Sequence, residues 1–131
     1  MALFIVSSRF TLKQKERLKS RKAIEVLFRE GKRLTRGPVR VLYRSSETAG
    51  LRLGVTVSSR LFPHATDRNR VKRLLRECWR LQKNPLREQL QNKGTGLDVF
   101  LLYTDKKLPD YETLYPLTGQ IISFLNESAN G

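Results

Sequence analysis

Six cations crowd into thirteen positions near the middle of the chain: Arg68, Arg70, Lys72, Arg73, Arg76 and Arg80, opposed only by Glu77. Side chains of these types bind phosphate. Arginine forks onto phosphate oxygens with two parallel N–H donors and stacks its planar head on bases, whereas lysine presents a compact charge. At helical spacing Arg68, Lys72, Arg76 and Arg80 follow one another four apart, with Asn69, Arg73 and Glu77 on the neighbouring row. A step of about 6 Å between such neighbours is close to the separation of successive phosphates on a nucleic-acid strand. Each phosphate neutralised releases condensed counterion, so several contacts give strong, salt-dependent affinity. A helix face that meets only water mixes both signs. Here the net is +5, which calls for a polyanion.

Other chemistries fit the chain poorly. Acid–base or metal-assisted cleavage of RNA by side chains needs paired general acids and bases or a carboxylate cluster. The basic half offers Glu16, Glu25, Glu30, Glu47, Asp67 and Glu77, no two at a convincing ligand spacing. One histidine, His64, and one cysteine, Cys78, make no zinc set and no two-histidine mechanism. His64 reads as an incidental loop residue. The pattern is that of a binder.

Charge distribution says where the polyanion lies. The chain carries 26 Lys and Arg against 12 Asp and Glu, a net of +14 over 131 residues. Residues 1–80 hold 21 of the basic and 6 of the acidic side chains; residues 81–131 hold 5 and 6. The first part therefore meets the polyanion and the remainder is scaffold, which points to nucleic acid before an anionic membrane. The single cysteine rules out a disulfide within the chain and fits a reducing compartment. The apolar start Ala2–Val6 is too short for a signal-peptide core, and no stretch approaches the roughly 18–20 apolar residues of a membrane span. The expectation is a cytoplasmic protein without a membrane partner.

The elements that must position these cations follow from periodicity. Ser20 is the expected N-cap of a helix that Gly31 ends. Ala23, Val26 and Leu27 form one apolar stripe of that helix, and Ile24 and Phe28 a second, one more than a single core needs. Alternation over 38–45 and 51–58 predicts two strands joined as an antiparallel hairpin, with a further short strand at Lys32–Thr35. A loop over 60–66 leads to Asp67, the expected cap of the basic helix. Val71, Leu74, Leu75, Cys78 and Trp79 give that helix an apolar side, and Asn84-Pro85 breaks and restarts it. DVFLLY at 98–103 is a continuous apolar run suited to a buried central strand. A last helix starts near Tyr111, and Pro116 with Gly119 predicts a kink or a late start. The layout is a single domain over 9–126 between an N-terminal extension (1–8) and a tail (127–131).

RNRVKRLLRE at 68–77 resembles the RNR signature of the bacterial ribonuclease P protein subunit. RLKSRKAIEVLFREGKR at 17–33, RVLYR at 40–44, LRLGVTVS at 51–58 and the DVFLLY strand are similar to that family's other elements, in the same order. The resemblance covers about residues 9–126. It implies an α+β two-layer sandwich: a small four-stranded mixed sheet with three helices in the order α-β-β-β-α-β-α. It also implies a left-handed crossover around the RNR helix, as in a domain of a small-subunit ribosomal protein. The implied function is that of a protein subunit, one per RNA, which binds a catalytic RNA and the 5′ leader of precursor tRNA. The RNA, holding magnesium, carries out the endonucleolytic hydrolysis, with no organic cofactor and no catalytic residue on the protein. The implied RNA contacts are Arg60, Arg68, Asn69, Arg70, Lys72, Arg73, Arg76 and Arg80; the implied leader contacts are Ile24, Phe28 and Tyr43. The chain departs from the pattern at Ser59-Arg60 and in LFPHATD, where Arg60 keeps one charge, and in its apolar MALFIV start. A ribosomal or other structural RNA-binding protein is the alternative that composition alone allows.

Overall fold

The structure is a computed structural model that describes residues 17–130, Lys19 and Glu47 excepted. The N-terminal extension expected at 1–8 lies outside the described residues. The elements are α1 (Arg21–Glu30), β1 (Lys32–Arg36), β2 (Val39–Ser46), β3 (Gly50–Val57), α2 (Ala65–Gln82), α3 (Asn84–Lys93), β4 (Gly96–Tyr103) and α4 (Tyr111–Asn130). The α+β sandwich and the four-stranded mixed sheet are as expected. Among the described residues the helices number four, because the break at Asn84-Pro85 separates α2 from α3. The last helix continues through 127–130, where a tail was expected.

Strand pairing departs from the expected hairpin of β2 with β3. The sheet order is β1-β2-β4-β3: β4 runs antiparallel to β2 and parallel to β3, and separates them. The tight hairpin is β1–β2, where Gly37 at φ 55° supplies the positive φ that a two-residue turn needs. The link from β2 to β3 instead arcs over the start of β4. A Cβ on Gly96 would lie 1.8 Å from the Thr48 carbonyl oxygen, so the arc can sit there only against glycine. Gly50 donates its N–H to the Thr95 carbonyl at 3.2 Å and ties the end of the arc down. Both edges of β4 are thereby hydrogen-bonded, and all its residues but Leu102 are buried, as its unbroken apolar run predicts.

The pleat sends alternate residues to two unequal cores. Val39 and Val41, Leu51, Leu53 and Val57, and Val99, Leu101 and Tyr103 face the layer of α2, α3 and α4, with Trp79 fully buried among them. On the opposite face α1 is the one helix among the described residues: Leu27 sits on Leu42 and Phe100, joined by Leu18. Ser20 caps α1 by accepting the Ala23 N–H at 3.2 Å, and Gly31 closes it with an N–H to the Leu27 carbonyl at 2.8 Å. Residues 17–18 run beside the outer edge of β3, where Leu18 donates to the Leu53 carbonyl at 2.8 Å.

In α4, Pro116 lies inside a helix that starts at Tyr111, so the late start does not occur. The Gln82 side-chain amide donates to the carbonyls of Tyr115 at 2.9 Å and Cys78 at 3.1 Å, supporting the helix where proline weakens it. Gly119 leaves room for this: a Cβ there would come within 2.6 Å of Gln82 Oε1.

Candidate nucleic-acid interface

The cationic row of α2 does not lie on one face. A four-residue step on a helix turns through about 400°, so each step drifts about 40° around the axis. Val71, Leu75, Cys78 and Trp79 define the buried arc; Arg68 falls within its range at the start of the helix, and Lys72 borders it. Both are half-buried, as are Arg76 and Arg80, while Asn69, Arg70 and Arg73 are exposed.

Arg68 is occupied within the protein. Its Nη1 donates to the carbonyls of Phe62 and Pro63, each at 2.8 Å, and so holds the loop before α2 against the helix. The helix starts at Ala65, earlier than expected, with His64 as an N-cap that makes no side-chain bond. Asp67, expected as the cap, lies inside the first turn, where a negative charge suits the positive end of the helix. Arg80 forms an ion pair with Glu77, its Nε donating to Oε2 at 3.2 Å, and this bond raises the arginine pKa above its ordinary value. Arg60 is exposed in the turn after β3, its N–H on Ser58 Oγ at 3.1 Å.

Arg76 meets a cation that sequence reasoning did not place. Its pKa is held below the ordinary arginine value, first by burial and then by the charge of Arg17. Arg17 pairs beside Leu53 on the sheet edge and, being next to Leu18 of the α1 core, points to the α2 side. Neither arginine has a carboxylate partner among the described residues. Lys72, Arg70 and Arg73 are likewise without one.

The α1 side of the sheet carries a second surface. Phe28 is 39% exposed, and its ring meets Phe100 edge-on with centroids 5.2 Å apart. Ile24 is half-buried beside the small core. Tyr43 does not join them. It alternates in phase with Val39 and Val41, so it lies on the opposite face of the sheet, against Phe124 of α4 at 6.1 Å between centroids. The sheet residue behind Phe28 is Phe100, which a continuous apolar run could not assign to a face. Gly54 makes room for it: a Cβ there would come 2.6 Å from the Phe100 ring. Arg33, Arg40 and Arg44 share this face by register with Leu42, and all three are exposed. Arg52 is also on it but is committed to Asp98, through Nε to Oδ1 at 2.9 Å and Nη2 to Oδ2 at 3.1 Å.

The geometry offers two basic surfaces on opposite sides of one sheet, one with an exposed aromatic ring. Aromatic faces take bases and arginines take phosphates. No three His, Cys, Asp or Glu side chains come together as metal ligands among the described residues, and no described helix is long and apolar enough to cross a membrane.

Comparison with known proteins gives the family. The family model described as Ribonuclease P matches residues 12–115. The ribonuclease P protein component of Porphyromonas gingivalis is 37% identical over 108 residues, covering 80% of this chain and 79% of its own. That of Thermotoga maritima is 33% identical over 102 residues, covering 76% and 78%. The solved RNase P protein of Thermotoga maritima superposes with a TM-score of 0.64 at 27% identity, over 86% of this chain and 96% of that one. A mutant RNase P protein from Staphylococcus aureus, 18% identical, shares the fold with a TM-score of 0.70 over 93% and 95%. With the family model matched over most of its length and relatives above 30% identity along three quarters of it, the chain belongs to the ribonuclease P protein family.

Proposed function

We propose that the protein is the RNA-binding subunit of ribonuclease P, assisting removal of the 5′ leader from precursor tRNA. The observation that carries this reading is the basic helix α2: after Arg68 and Arg80 are taken up internally, Arg70, Lys72, Arg73 and Arg76 remain without carboxylate partners among the described residues. In a family whose relatives are ribonuclease P protein components, that surface suits the phosphates of the catalytic RNA, with Asn69 and Arg60 beside it. The α1 seam, with Phe28 over Phe100 and the row Arg33, Arg40 and Arg44, suits the single-stranded leader, where a base stacks and the backbone meets arginine. Ile24 adds apolar contact there. Tyr43 has no part in this seam.

The protein supplies binding in this reading, and the RNA supplies the chemistry. Magnesium, held mainly by the RNA, serves the hydrolysis. The side chains of α2 and α1 do the rest: they neutralise phosphates that would otherwise repel one another, and they hold the leader in register with the scissile bond. One protein per RNA, working in the cytoplasm, is the corresponding assembly. The test is reconstitution with the catalytic RNA at low magnesium. Cleavage of precursor tRNA with both components, and not with protein alone, is expected. A protein that binds RNA but leaves cleavage unchanged would instead be a structural RNA-binding protein.

A further inference from the structure

Three large apolar side chains are exposed among the described residues: Phe28, Leu108 and Tyr111. Phe28 belongs to the α1 seam. The other two lie at the far side of the sheet, where the loop from β4 turns into α4. Tyr111 is 42% exposed, and its ring leans on Tyr115 with centroids 5.2 Å apart at 30°. It closes one end of an open cavity lined by Pro109 and Asp110 and, from α2, by Arg70, Arg73 and Glu77. Both acids there are committed elsewhere. Glu77 holds Arg80, and Asp110 caps α4 by accepting the Thr113 N–H at 2.8 Å. The side chains of Arg70 and Arg73 have no hydrogen bond or ion pair among the described residues.

A ring backed by a second ring, beside two arginines with charge to spare, has the chemistry for a base and its phosphates. We propose that Tyr111 stacks an unpaired base of single-stranded RNA while Arg70 and Arg73 take the flanking phosphates, a subsite that rests on the RNA-binding reading above. An acidic protein surface would satisfy the arginines but would gain little from an open aromatic face next to them. Every base, by contrast, has a π face for tyrosine to use.

The probe is a short single-stranded RNA carrying 2-aminopurine, whose fluorescence falls on stacking, titrated into the full chain. Working in a Phe28→Ala background keeps the α1 seam from reporting. Tyr111→Phe should retain binding and quenching. Tyr111→Ala should bind about ten-fold more weakly or worse, lose the quenching and keep its salt slope, because no charge is removed. Arg70→Gln and Arg73→Gln should each make the slope shallower. Undiminished quenching by Tyr111→Ala overturns the stacking site and leaves RNA binding by α2 standing. No RNA binding by the parent protein overturns the reading beneath it. If Tyr111→Ala instead dissociates a dimer and leaves RNA binding untouched, the patch is a self-contact and the proposal fails.

Discussion

Arg68 donates from Nη1 to the Phe62 carbonyl at 2.8 Å, and the same nitrogen reaches the Pro63 carbonyl at the same distance. The first arginine of the RNR stretch is thus spent on the loop that leads into its own helix, while Arg70 stays exposed, with no ion pair among the described residues. The two should therefore separate by experiment. Arg68→Ala should cost about 2 kcal/mol of folding stability, the range for hydrogen bonds to a charged group, read from urea unfolding. Arg70→Ala should leave unfolding unchanged and reduce the salt slope of RNA binding by about 1. Equal loss of stability in both would remove the distinction.

Phe28 combines partial exposure with contact to Phe100. Phe28→Ala should weaken binding of leader-bearing precursor tRNA to the reconstituted enzyme by about ten-fold, the scale of one stacked base. Mature tRNA should bind as before. Equal losses for both RNAs would assign the ring to packing alone.

The Cys78 thiol is fully buried, and burial, followed by the charge of Glu77, pushes its pKa up to about 11. Its folded value lies above the unfolded one, so the folded state holds the proton more tightly. This contribution to stability is complete below about pH 9 and is lost as pH rises toward about 11. Alkylation at pH 8 should proceed only through unfolding, with a rate that rises with added urea. Rapid labelling of the native protein would contradict the burial.

Gly96 lies under the Thr48 carbonyl, with no space for a methyl group. Gly96→Ala should destabilise the protein by about 1–3 kcal/mol, the usual cost of overpacking, seen as a lower Tm. An unchanged Tm would mean that the 46–50 arc moves away freely.

Local pattern told much of this fold, and its failures were non-local. The alternation of Val39, Val41 and Tyr43 against Leu42 identifies a strand and sorts its residues by face, but it does not say which face α1 covers; the leader contact at Tyr43 came from the resemblance, and the ring lies on the other face, against Phe124. Two adjacent alternating runs suggested a hairpin because a short link usually joins paired strands. The insertion of β4 depends on a crossover of some forty residues and on a glycine under the arc at Gly96. Pro116 pointed to a kink or a late start; the helix starts at Tyr111, and the amide that bonds it beside the proline, Gln82, comes from α2, 33 residues from Tyr115. Arg68 carried the same charge as its neighbours in the sequence, and only its nearness to two carbonyls removes it from the set of free cations. Phe100 and Tyr111 were hidden differently: one in an apolar run without phase, the other at a helix start that looked like scaffold.

In the proposed function this protein binds and the RNA cuts. Its most direct test is precursor tRNA cleavage at low magnesium by the catalytic RNA alone, the protein alone and the two together. Efficient leader removal is expected only in the mixture, abolished or sharply reduced when Arg70, Lys72, Arg73 and Arg76 are neutralised together. Leader removal by the protein in the absence of the RNA would contradict it.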